Sequence, residues 1–134
     1  MAEIQFRRDF EATYGVLEPV SPLIRRIVAR NPGPFTFQGT GTYVVGHGTV
    51  AVIDPGPLLA EHVEALLHTL RGETISDILV THTHLDHSPA AAAVKRATAA
   101  PTSGFGPHGG GADGQAATLA GTSHPNAGWI DLRA

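Results

Sequence analysis

The chain has 134 residues, 42% of them hydrophobic and 16% charged, with a formal net charge of −3 and no cysteine. That is the size of one small globular domain with a core of its own, and no stretch nears the roughly 20 uninterrupted apolar residues of a membrane span. So small a net charge gives no argument for nucleic acid or an anionic surface, and without cysteine there are no disulfides, thiolate nucleophiles or thiolate zinc sites.

The opening residues, Met1 to Asp9, hold no apolar run that could form a signal-peptide core, so the expected location is cytoplasmic. Glu18-Pro19-Val20-Ser21-Pro22 reads as a turn-rich lead-in. From Leu23 to Ala29, aliphatic residues interleave with Arg25 and Arg26, which predicts a strand ended by Asn31-Pro32-Gly33-Pro34. Phe35-Thr36-Phe37-Gln38 then starts a second short strand. Residues 40–45 and 49–54 are β-rich runs joined by Gly46-His47-Gly48, the pattern of a hairpin with His47 exposed at its tip. The second run ends in Asp54-Pro55-Gly56, a carboxylate at a strand terminus held by a stiff turn.

Pro57 to Arg71 predicts an amphipathic helix, with Leu59, Val63, Leu66, Leu67 and Leu70 at helical spacing and His62 and His68 read as surface residues. Ile75 to Thr81 predicts a strand buried on both faces. A helix follows, capped by Ser88, with Pro89 at its first position and an end near Ala99. Strand, helix, strand, helix in this order indicates a layered α/β or α+β domain. Residues 101–128 contain eight glycines and three prolines and read as a loop, in part flexible, before Trp129-Ile130-Asp131-Leu132 begins another strand.

The chemistry is concentrated in Ile78-Leu79-Val80-Thr81-His82-Thr83-His84-Leu85-Asp86-His87-Ser88-Pro89. Three histidines and an aspartate fall within six residues between a buried strand and a helix, which is how metal sites concentrate ligands. In an extended chain, residues two apart face the same side, so His82 and His84 can share one ion. Asp86 and His87 follow the bend and project toward a second ion or a neighbouring ligand. Imidazole and carboxylate without thiolate suit zinc, with manganese or iron as alternatives. Ligands at the carboxyl end of a strand also sit where α/β sheets place their active sites.

Thr81-His82-Thr83-His84-Leu85-Asp86-His87 resembles the His-x-His-x-Asp-His motif of the metallo-β-lactamase superfamily, and Val52-Ile53-Asp54-Pro55-Gly56 resembles its earlier strand-ending aspartate. Residues 31–35, 39–44 and 105–109 are similar to stretches of the β-lactamase-like hydrolases related to glyoxalase II, with Gly41 where relatives usually have asparagine. The resemblance implies an α+β fold, the N-terminal half of an αββα sandwich with helices on one face of a mixed sheet, so that residues 1–134 form a single partial domain. It implies His82 and His84 on a first metal ion, Asp86 and His87 on a second, Asp86 also positioning the attacking water, and Asp54 steadying the ligand loop. The implied activity is metal-dependent hydrolysis of a small-molecule ester, thioester, lactam or phosphodiester by a metal-bound hydroxide, with one or two zinc ions.

The superfamily's remaining ligands, a third histidine, a bridging aspartate and a last histidine, have no counterpart in these 134 residues. His124 is a weak substitute for the third histidine, Asp113 and Asp131 are weaker, and His108 reads as a loop residue near the pocket. The competing expectation is therefore a catalytically incomplete half-domain that binds metal weakly and packs sheet to sheet as a homodimer.

Overall fold

The computed structural model describes residues 4–104 with their side chains, and the backbone alone of residues 122–123 and 130–131. His108, Asp113 and His124 lie outside the described residues, as does the side chain of Asp131. The strands are β1 (Glu18–Pro19), β2 (Ile24–Val28), β3 (Gly41–His47), β4 (Thr49–Ile53), β5 (Thr74–Val80), β6 (Thr102–Gly104), β7 (Thr122–Ser123) and β8 (Ile130–Asp131). Two helices, α1 (Ala60–Thr69) and α2 (Ala91–Thr98), lie on either side of β5 in the chain.

The strands form one mixed sheet in the order β1-β2-β3-β4-β5-β6-β8-β7. Neighbours from β1 to β4 are antiparallel, β5 runs parallel to both β4 and β6, and β8 returns antiparallel. The centre is the predicted hairpin of β3 and β4, which pairs up to His47↔Thr49 and turns on Gly48 alone. The parallel pairs need long connections, and α1 and α2 supply them. The result is the expected α+β arrangement.

Period-2 alternation decides which face is covered. Val44, Val52 and Ile78 stand in register across three strands and are fully buried, together with Ile27, Val50 and Val80. Leu66 of α1, Leu70 just past its end, and Ala91 and Val94 of α2 close this face. Tyr43, Val45, Ala51, Ile53 and Leu79 point the other way, and none of them is buried, so β5, expected to be buried on both faces, is buried on one. No helix among the described residues is long and apolar enough to cross a membrane.

Four local expectations need correction. Phe35 to Gln38 is not a strand: Gly33 N–H donates to Phe37 O (3.1 Å) and Phe37 N–H to Gly33 O (2.9 Å), closing a tight turn that leaves Phe35 99% exposed. The dipeptide pattern looked extended, but among the described residues no neighbouring strand pairs with it. Ser88 does not cap α2 and Pro89 is not its first residue: the residue before the helix is Ala90, without a side-chain cap, and the Ser88 hydroxyl donates instead to His84 O at 3.3 Å. The glycine-rich stretch read as loop from residue 101 starts with β6, which pairs with β5. Finally, His62 is buried rather than exposed, at 3%. It lies four residues before Leu66 and eight before Leu70, on the buried stripe of α1.

Candidate metal centre

Parallel β4 and β5 end at the same edge of the sheet, and β3, being antiparallel to β4, begins there. This edge therefore collects the residues just before β3, just after β4 and just after β5. Those are Thr40, Asp54, and the run from Thr81 to His87.

Asp54 is the anchor. It takes a left-handed backbone conformation (φ 49°), which Asp tolerates better than most residues. Its N–H donates to Leu79 O at 2.8 Å. Its carboxylate, 9% exposed, accepts the Thr81 N–H (2.8 Å) on Oδ1 and the Thr81 hydroxyl (2.6 Å) on Oδ2, and Oδ2 lies 3.0 Å from His87 Nδ1. Gly56 then clamps the turn to the histidine loop: its N–H donates to His87 O (3.0 Å), and its carbonyl accepts from Ala90 N–H (3.1 Å). Gly56 has φ 97°, and a Cβ there would meet His62 Nε2 at 2.8 Å, so only glycine fits.

His62 supports the turn from below. The Thr42 hydroxyl donates its single proton to Asp54 O (2.7 Å), so the contact between Thr42 Oγ1 and His62 Nε2 (3.0 Å) requires the ring N–H as donor. The same N–H faces Pro55 O at 3.1 Å. Burial lowers the His62 pKa, opposed by the Pro55 hydrogen bond and the Glu61 charge, in keeping with a neutral ring whose Nδ1 has no hydrogen-bond partner among the described residues.

The same proton count assigns the ring nitrogens of the cluster. The Thr81 hydroxyl donates to Asp54, so its 2.9 Å contact with His82 Nδ1 makes that nitrogen the donor and leaves Nε2 as the lone-pair nitrogen of His82. His87 Nδ1–H donates to the Asp54 carboxylate, which likewise leaves Nε2 as its lone-pair nitrogen. That Nε2 stands 3.2 Å from Asp86 Oδ2. Two lone pairs facing each other repel. A second ring proton or a shared cation makes the contact attractive; a neutral ring alone does not.

The chain turns tightly here, with His84 O accepting from His87 N–H (3.0 Å) and Ser88 N–H (3.2 Å). As a result the His82 ring centroid lies 4.5 Å from that of His84 and 4.2 Å from that of His87. All four residues expected as ligands are thus gathered at one edge, and His87 stands beside the first pair rather than apart from it. Asp54, His82 and His87 each place one potential ligand atom within 4.8 Å of the others. Burial lowers the His82 pKa, as do the His87 and His84 charges beside it. For Asp86 burial acts upward, but the Thr40 hydroxyl bond and the His87 charge outweigh it and hold the carboxyl below its ordinary value. Neutral imidazoles and an ionised carboxylate are the forms that bind metal.

Sequence reasoning passed over Thr81, Thr42, His62, Thr40 and Asn31. The signal for His62 was present in its helical spacing. Thr40 carries none, because its partner Asp86 is 46 residues away: Thr40 Oγ1 donates to Asp86 Oδ2 at 2.8 Å.

Comparison with known proteins agrees with this architecture. A solved β-lactamase domain protein from Burkholderia ambifaria superposes with a TM-score of 0.51 at 21% identity, over 64% of this chain and 29% of that one, which shows a shared fold. Atrochrysone carboxyl ACP thioesterase nsrC of Aspergillus novofumigatus is 44% identical over 75 residues, 54% of this chain and 23% of the relative. The β-lactamase-like protein 2 homolog of Caenorhabditis elegans is 41% identical over 75 residues, 53% of this chain and 25% of the relative. The chain thus spans about a quarter of the length of these curated relatives. The sequence profile of the metallo-beta-lactamase superfamily matches residues 35–113, from the turn before β3 through the histidine loop and α2, and on that match the chain belongs to the metallo-β-lactamase superfamily.

Proposed function

We propose that this chain carries the metal-binding part of a zinc-dependent hydrolase acting on thioesters. The observation that carries the reading is the gathering of the His82, His84 and His87 rings at one edge, with the His84 and His87 centroids 4.5 and 4.2 Å from that of His82 and His87 Nε2 3.2 Å from the Asp86 carboxylate. A positive charge between these groups turns the contact attractive, and imidazole with carboxylate is the set zinc takes, with manganese or iron admitted by the same ligands.

In this reading His82, His84, Asp86 and His87 hold the metal, as one ion or a pair. Asp54 orients His87 through Nδ1 and the strand end through Thr81, as carboxylates behind metal-bound histidines commonly do. When bound, the ion supplies Lewis acidity, bringing the pKa of a water ligand to about 7 and polarising a substrate oxygen. The residues do the rest. Asp86, kept ionised, accepts a hydrogen bond from the attacking water and orients it toward the carbonyl carbon. A new C–O bond then forms, the C–S bond breaks, and the thiol leaves with the proton. The thioester is favoured among acyl substrates because relatives 44% and 45% identical over 75 residues are named as atrochrysone carboxyl ACP thioesterases.

The test is calorimetric titration of the chain with zinc, followed by thiol release from a simple acyl thioester. With no cysteine in the chain, a thiol-reactive dye reports product without background. Zinc uptake that disappears in His82→Ala, with thiol release dependent on zinc, is the expected result. Thiol release unaffected by chelator, or zinc uptake unchanged in His82→Ala, contradicts it.

A further inference from the structure

We propose that Thr40 and Asn31 are positioning residues that aim the Asp86 carboxylate from the sheet, independently of the loop that carries it. The inference rests on the metal-binding reading and concerns residues outside the histidine motif.

The Thr40 hydroxyl has one proton and two lone pairs. Asn31 Nδ2 donates to Thr40 Oγ1 at 3.1 Å, occupying a lone pair, and Thr40 Oγ1 donates to Asp86 Oδ2 at 2.8 Å. The orientation of the amide is settled by its other end, because Asn31 Oδ1 accepts the Thr40 N–H at 2.9 Å. Turning the amide over would set an NH₂ group against that N–H. Asn31 thus grips both the backbone and the side chain of Thr40, and the hydroxyl proton points one way.

The pair is itself fixed. Thr40 is 6% exposed, and its carbonyl accepts the Ala29 N–H at 2.9 Å. Asn31 N–H donates to Ala29 O (2.9 Å), and Asn31 O accepts the Thr36 hydroxyl (2.6 Å). Gly39 lets the chain pass: at φ 144° a Cβ there would stand 2.0 Å from Ala29 O. The turn from Gly33 to Phe37, which does not pair as a strand, serves to bring Asn31 back under Thr40. Asp86 therefore receives one hydrogen bond from a rigid corner of the sheet, while its own backbone belongs to a loop with Leu85 81% exposed. A ligand on a loop is loose unless a rigid neighbour holds its rotamer.

The experiment is cobalt(II) titration of the 134-residue chain, followed by visible absorption, with melting curves to verify folding. Thr40→Val keeps the shape and removes the hydroxyl; Thr40→Ser keeps the hydroxyl. Asn31→Asp keeps the acceptor for Thr40 N–H and removes the donor that directs the hydroxyl. Thr40→Val is expected to weaken cobalt binding about tenfold or more and to change the ligand-field bands, with Thr40→Ser within about twofold of the original chain and Asn31→Asp between them. Should Thr40→Val not fold, the Thr40→Ser and Asn31→Asp pair carries the same test. Unchanged affinity and bands in Thr40→Val and Asn31→Asp, with binding still lost in His82→Ala, would overturn the positioning role and leave the metal reading standing. Equal loss in Thr40→Val and Thr40→Ser would also overturn it, by assigning the effect to packing. A chain that takes up no cobalt overturns the metal reading and this inference with it.

Discussion

Both ends of the central hairpin are held by charged side chains, and the two clusters differ in one respect. At the turn end, Arg25 forms two hydrogen bonds with Glu73 (2.8 and 2.9 Å) and a third with Gly46 O (2.9 Å), while Glu73 Oε1 also accepts the Gly48 N–H at 2.8 Å. Both terminal nitrogens of Arg25 meet acceptors, leaving only its buried Nε without a partner among the described residues, and the Arg25 hydrogen bond holds the Glu73 pKa below its ordinary value. At the opposite end, Asp54 organises Thr81 and His87 just as thoroughly, yet His87 Nε2 and the Asp86 carboxylate remain directed at each other, with the His82 ring alongside. A closed cluster is architecture. A cluster left with an imidazole lone pair against a carboxylate calls for a cation, and that surplus distinguishes a site from a clamp.

The contrast breaks most sharply on single substitutions. His82→Ala is expected to weaken zinc or cobalt binding by more than about 100-fold, beyond the 10–100-fold that losing an outer partner costs, with little change in melting temperature. Asp54→Asn is expected to fall within that 10–100-fold range, since it leaves the ligands in place and loosens His87 and Thr81. Arg25→Met should do the reverse: metal affinity unchanged in titration, and stability lower by about 2 kcal/mol in denaturant unfolding, for a charged hydrogen-bonded pair 15% and 17% exposed. If Arg25→Met altered metal affinity as strongly as Asp54→Asn, the two ends would not be separable.

His62 sharpens the comparison through pH. Burial keeps its folded pKa below 6.5, so the unfolded chain binds more protons in the window between that lowered value and 6.5. Stability is fully present above 6.5 and declines as pH falls through the window; His82 contributes with the same sign in the metal-free chain. His62→Gln keeps a donor at the Nε2 position and cannot titrate, so unfolding curves between about pH 7 and pH 5 should show a shallower acid decline than the original chain. An unchanged slope would place the titrating group elsewhere. The smallest effect belongs to Ser88→Ala, expected within about 0.5 kcal/mol because the hydroxyl caps nothing.

How much of this was legible in the sequence follows from range. The hairpin, both helices and the buried strand before the histidines rest on spacing within a dozen residues, and that spacing survives folding. The histidine motif was legible because its ligands are neighbours in sequence. Phe35 to Gln38 misled because β-forming side chains say nothing about whether a partner strand exists. Ser88 misled because a hydroxyl before a helix is a cap only if the helix starts in register, and α2 starts three residues later. Asp54 was legible as a strand-ending carboxylate, but its grip on Thr81 and His87 spans 27 and 33 residues. The Asn31–Thr40–Asp86 chain was invisible for the same reason, since nothing local marks a hydroxyl whose acceptor lies 46 residues on.

The central claim is that His82 and His87 present Nε2 lone pairs to bound metal, and long-range ¹H–¹⁵N correlation of the histidine rings during zinc addition reads it directly. The account predicts that both rings keep the proton on Nδ1 and that their Nε2 resonances move to the metal-bound range as zinc is added. Nε2-protonated rings, or Nε2 resonances that ignore zinc, would contradict it.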